Sequence, residues 1–114
     1  MYYYIVKANG EVSEKKTEKQ MELDDFYKVT GGYIETTVVR NTNYLLIMDE
    51  ERKLKEKPVN RVATILYGNP YDVIVGDIII ATMRKDENGE MDIFGFEEPV
   101  PKLRALVNSK EKER

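Results

Sequence analysis

Residues 58–84 read PVNRVATILYGNPYDVIVGDIIIATMR, and this stretch decides the fold. Asn60 is placed to cap a helix, because its side-chain oxygen can accept from the free N–H groups of a first turn. Val62, Ile65 and Leu66 follow at helical spacing and predict one buried face. Gly68 suits the residue that ends a helix, and Asn69-Pro70 blocks continuation. A helix this short is marginal alone and needs packing to hold it. Residues 73–83, VIVGDIIIATM, then read as a strand rich in β-branched side chains. The run Ile78-Ile79-Ile80-Ala81 has no polar alternation, so this strand is expected to be central and covered on both faces. Gly76 interrupts it and predicts a bulge or a close backbone approach.

Working outward, residues 2–7 (YYYIVK) form an opening strand, and Asn9-Gly10 a turn. Residues 11–22 mix both charge signs and read as a solvated arm, a partly disordered segment, or, preferred, an exposed strand or loop leading to Met21. Leu23, Phe26 and Tyr27 predict a short helix, with Asp24 and Asp25 at its positive end and Gly31-Gly32 closing it. Residues 33–40 and 44–49 form a hairpin. Residues 50–57 are a charged connection whose one apolar anchor is Leu54. After the central strand, Asn88-Gly89 turns the chain into a returning strand at 91–96, expected at an edge because Gly95 breaks it. Residues 102–108 form a last short helix, burying Leu103, Leu106 and Val107.

The order of elements predicts an α+β class: a single domain over residues 1–109, with a largely antiparallel sheet and two or three short helices mainly on one face. Residues 110–114 are wholly charged and read as a frayed tail. At 114 residues the chain can bury a sufficient core without staples.

Composition narrows the chemistry. The chain has no cysteine and no histidine, which removes the thiol nucleophile, the disulfide framework and the commonest general base. No catalytic residue, cofactor or metal is therefore assigned. The net charge of −3 argues against direct nucleic-acid binding. No apolar run approaches the ~20 residues of a membrane span, and no signal peptide is visible, so a cytoplasmic protein is expected.

Several residues carry candidate binding chemistry. Asn60 and Arg61 stand at a helix start, where free N–H groups favour an anion and a guanidinium could add a bidentate contact. The alternative is a cap plus an ion pair from Arg61 to Asp49 or Glu50. The carboxylates Glu35, Asp49, Glu50 and Asp77 could bind a hard cation or act as an acid–base pair, though no metal-binding spacing supports this and they also fit water-exposed strand ends. Tyr33 completes the ligand-binding set. Among eight tyrosines, Tyr2, Tyr3 and Tyr4 cannot all enter one core, because strand neighbours face opposite sides, so some are expected at an interface. Residues 91–96 or the tyrosine-rich first strand offer an edge for a homodimer.

Gly31-Gly32-Tyr33-Ile34-Glu35, Leu45-Leu46-Ile47-Met48-Asp49-Glu50, Leu54, Pro58, Asn60-Arg61, Ala63 and Gly76-Asp77-Ile78, in this order and spacing, resemble DUF3846, a small domain of unknown function from bacteria, plasmids and bacteriophages. The resemblance covers roughly residues 5–107. The sequence departs from the family habit at Lys55-Glu56-Lys57, where a glycine and an apolar residue are usual, and after Gly76, where many members carry a second glycine. The resemblance implies a phage or mobile-element setting and no catalytic activity. The expected function is a non-enzymatic module that binds a host protein, to modulate defence or metabolism. The alternatives are a protein that binds or sequesters a nucleotide or other small anion, and, last, a carboxylate- and metal-dependent hydrolase.

Overall fold

A computed structural model of the chain describes residues 1–112. In chain order it contains β1 (Tyr2–Val6), β2 (Val12–Lys16), α1 (Leu23–Thr30), β3 (Ile34–Val38), β4 (Leu45–Asp49), α2 (Arg61–Tyr67), β5 (Ile78–Lys85), β6 (Met91–Phe94) and α3 (Pro101–Lys112). The α+β expectation holds. Every strand pair is antiparallel, in the order β2-β1-β5-β4-β3. Strand β6 pairs with the second half of β5, Phe94 facing Thr82 and Met91 facing Lys85.

β5 is the central strand, as its unbroken apolar run predicts. Tyr4, Ile5 and Val6 of β1 face Ile80, Ile79 and Ile78, while Leu45, Leu46 and Ile47 of β4 face Ala81, Ile80 and Ile79. All of Ile78, Ile79, Ile80 and Ala81 are fully buried. Ile78 and Ile80 join Tyr4, Val6, Leu46 and Met48 beneath Ala63 of α2 and Leu103 of α3. Ile79 and Ala81 join Tyr3, Leu45 and Ile47 beneath Met21 and Phe26. Helices α2 and α3 thus share one face, as expected, but α1 covers the other. That second cover is what lets β4 and β5 dispense with a polar side.

The same cover corrects the reading of the tyrosine run. Tyr3 and Tyr4 do point to opposite faces, yet both are fully buried because both faces are covered. They offer no interface, and Tyr2 is half-buried. Their hydroxyls are satisfied inside the fold. Tyr3 Oη accepts from the Met21 N–H at 2.8 Å. Tyr4 Oη donates to Glu14 Oε1 at 2.6 Å and accepts from the Val100 N–H at 2.9 Å. Arg104 of α3 closes this set with two hydrogen bonds to the Glu14 carboxylate, at 3.1 and 2.8 Å. Burial, the shared bond to Glu14 and its negative charge push the Tyr4 hydroxyl up to about 12.

Other expectations change in detail. The strand foreseen over 73–83 starts only at Ile78, because Gly76 turns at φ 82°. Residues 11–22 supply the exposed strand β2. Strand β1 lies inside the sheet, not at an edge. Ile65 is 79% exposed and Leu23 54%, so each helix buries a narrower stripe than its spacing implied. α3 runs on through Lys112, where a frayed tail was expected, and the end of that tail, 113–114, lies outside the described residues.

Replacing Ile79 tests the double cover. Ile79→Ala should cost about 2–5 kcal/mol in urea unfolding, the range for truncating a buried isoleucine. Ile65→Ala, equally aliphatic but solvated, should stay within about 0.5 kcal/mol of the parent.

Candidate functional site

Strand β4 ends on an aspartate that has nowhere to meet water. The side chain of Asp49 is 2% exposed. An unpaired carboxylate so placed would be strongly disfavoured. Its Oδ2 receives Lys55 Nζ at 2.7 Å and Lys57 Nζ at 2.9 Å. Its Oδ1 accepts the Glu51 N–H at 2.9 Å. Burial pushes the carboxyl up, but the two lysine hydrogen bonds and the Glu51 N–H outweigh it and hold the group at about 2.

Both lysines reach Asp49 over bare backbone. A Cβ on Gly76 would stand 2.9 Å from Lys57 Cδ, and one on Gly32 would stand 2.9 Å from Lys55 Nζ and 3.0 Å from Asp49 Oδ1. Lys57 also donates to the Thr30 carbonyl, and Lys55 to the Gly31 carbonyl at 3.3 Å. Gly76 is therefore the close approach foreseen, with a lysine stem as what approaches.

Asn60 forms the other half of this junction. It caps α2 as expected, accepting from the Ala63 N–H at 3.1 Å. It is also fully buried, and its amide donates to the carbonyls of Val6 and Gly76, each at 2.9 Å. Every polar atom of the side chain is thus engaged, and none is left for an anion. Beside it, Asp77 Oδ1 accepts from the Ala8 N–H at 2.9 Å.

The structure brings Asp49, Asn60 and Asp77 to one junction, which ties the ends of β1, α1 and β4 to the starts of α2 and β5. It leaves the other candidates outside. Arg61 is exposed, and the ion pair proposed for it with Asp49 or Glu50 does not form, because Asp49 already holds two lysines. Glu50 is exposed, and Tyr33 is 65% exposed with its ring edge-on to Tyr27 at 5.6 Å. Glu35 receives Arg52 Nη1 at 2.9 Å.

The anchor of residues 50–57 is not the expected Leu54. Leu54 is 83% exposed, whereas Arg52 is 8% exposed and bonds both Glu35 and the Asp49 carbonyl. Charge, not an apolar side chain, fastens this segment. The available signal was Asp49 itself: an acid closing a wholly apolar strand needs cations, and the next eight residues supply four.

A carboxylate held at about 2 is a poor proton acceptor near neutrality, where a general base needs a value close to the working pH. A depression of about 270 Å³ adjoins the junction, lined by Thr30, Gly31, Lys57, Pro58, Gly76 and Asp77. Among the described residues no group of three or more acidic side chains is placed to hold a metal ion, and no helix is long and apolar enough to cross a membrane.

An antiparallel sheet covered on both faces and pinned at one end by this junction defines a small α+β domain. The profile of the family described as a domain of unknown function, DUF3846, matches residues 1–94, and the chain belongs to that family. Helix α3 lies beyond the matched residues. No curated protein and no solved structure matches the chain.

Two measurements test the junction. The Asp49 pKa is lowered from 3.8 to about 2. Its stabilisation is therefore fully present above pH ~4 and is lost as pH falls towards 2, with a total of about 2 kcal/mol. Asp49→Asn should flatten that part of the stability–pH curve, read by urea unfolding at each pH. Asn60→Ala should cost about 2–4 kcal/mol, since it removes a cap and strands two buried carbonyls.

Proposed function

We propose that the chain is a non-enzymatic binding module that acts by protein–protein contact in the cytoplasm. The observation that carries this reading is Tyr71, which is 96% exposed at the turn between α2 and β5. The turn is fastened beneath it. Asn69 Oδ1 accepts the Tyr71 N–H at 2.9 Å, and the Asp72 carboxylate pairs with Lys53 at 3.1 Å. Tyr71 borders a depression of about 480 Å³ with Val38, Arg40, Tyr67 and Pro70. Tyrosine and arginine are the side chains that most often dominate the energy of protein contacts, and a held backbone lowers the entropy lost on binding.

The partner that fits is a protein surface offering an apolar side chain to the tyrosines and a carboxylate to Arg40. Its source, under the resemblance to a family of phages and mobile elements, is a host protein of defence or metabolism. The buried ionisable groups support the non-enzymatic side of the reading: Asp49 is locked as an ion, and the Tyr3 and Tyr4 hydroxyls are raised by burial. The small-anion alternative is left with Arg61 alone, once Asn60 is engaged.

Immobilised wild type and Tyr71→Ala should be compared in pull-downs from bacterial lysate with quantitative mass spectrometry. A partner of this surface is retained by wild type and by Leu23→Ala, a second exposed apolar site, on α1, and falls about tenfold or more with Tyr71→Ala. Equal recovery on all three would remove the surface from consideration.

A further inference from the structure

Among the described residues, strands β2, β6 and β3 each present an edge, and they are treated differently. Strand β2 carries exposed Lys15 and Lys16, the usual guard against pairing with another chain. Strand β6 is covered by Gln20, whose amide donates to the Ile93 carbonyl at 2.6 Å and to Asp92 Oδ2 at 2.9 Å. Strand β3, sequence IETTV, stands at the end of the sheet with no lysine, no proline and no positive φ. Its one charge, Glu35, is neutralised by Arg52.

The direction of its free groups follows from the ladder. Glu50 N–H donates to the Tyr33 carbonyl, and Val39 N–H donates to the Tyr44 carbonyl. Odd-numbered residues thus spend their main-chain groups on β4, and Ile34, Thr36 and Val38 turn theirs outward. We infer that this edge takes a second copy of the chain, in antiparallel register centred on Thr36. Thr36 then faces Thr36, and Ile34 faces Val38 of the second copy. Glu35 faces Thr37, so no like charges meet. Every outward N–H and C=O of the strand finds a partner. A register moved by one residue would set inward-turned groups, and at one position Glu35 against Glu35, on the axis. The edge is self-complementary in hydrogen bonds, side-chain size and charge at once, which is what a two-fold interface requires. This dimer places β3, not β1 or the residues of β6, at the contact; it shares Val38 with the rim of the Tyr71 depression, but its hydrogen-bond ladder does not depend on the role of Tyr71.

Sedimentation or light scattering of the whole chain at low and high concentration should show mass rising towards twice 13.3 kDa. Thr36→Lys sets like charges across the axis and should weaken the dimer about tenfold or more. Thr36→Pro removes only an outward N–H, so the monomer should keep its circular dichroism and lose self-association. Thr36→Cys adds the chain's one thiol at a pair with Cα atoms about 5.5 Å apart, within disulfide reach. It should cross-link on oxidation, while Asp24→Cys on α1 should not, and this readout stands even if another variant fails to fold. A wild type monomeric at every concentration, or a dimer indifferent to both Thr36→Lys and Thr36→Pro, would overturn the inference. Either result would leave partner capture through Tyr71 open to its own test.

Discussion

Two neighbouring strands without a polar face govern this molecule. Leu45–Asp49 and the first half of Ile78–Lys85 bury every residue, so the sheet needs a layer on each side. One layer comes from α2 and α3, and the other from α1 with Met21. A single-sided α+β sheet would leave Leu45, Ile47, Ile79 and Ala81 in water, at about 1.5–3 kcal/mol for each larger side chain. The position of α1 is therefore a consequence of strand composition.

The double cover creates the polar junction. Because β4 is buried to its last residue, Asp49 is carried into the interior, and the chain must bring cations to it. Lys55 and Lys57 do so across Gly32 and Gly76, where a Cβ would stand 2.9 Å from the lysine side chains. Glu56 between them takes a left-handed φ of 53°, a conformation glycine adopts more readily. The junction thus combines Gly31-Gly32, Asp49, Asn60 and Gly76-Asp77 with a clamp of two lysines. All of it is directed inward, which is why the binding reading falls on Tyr71 instead.

Much of the fold was legible in sequence because it rests on local rules. The apolar run at Ile78 marked the centre of the sheet, and Asn60 and Gly68 marked the ends of α2. What escaped was long-range. Nothing local in YYYIVK tells that both faces will be covered, so Tyr3 and Tyr4 looked too many for the interior. Nothing in EERKLKEK tells that its lysines reach backward to Asp49, so Leu54 reads as the anchor. The candidate site is half legible: Asp49, Asn60 and Asp77 stand out in the sequence, but the cations that give Asp49 its role lie in what reads as a charged connection.

The strand order has a consequence for synthesis. The centre of the sheet is made late: β5 inserts between a β1–β2 hairpin and a β3–β4 hairpin that leave the ribosome before it. Until residues 78–85 emerge, each nascent hairpin carries an open apolar flank with no mate. Non-local closure of this kind is slow compared with hairpin formation. The interval between translating Asp49 and translating Ile78 is thus the period in which the unfinished chain is most exposed to wrong pairing or to capture by a chaperone.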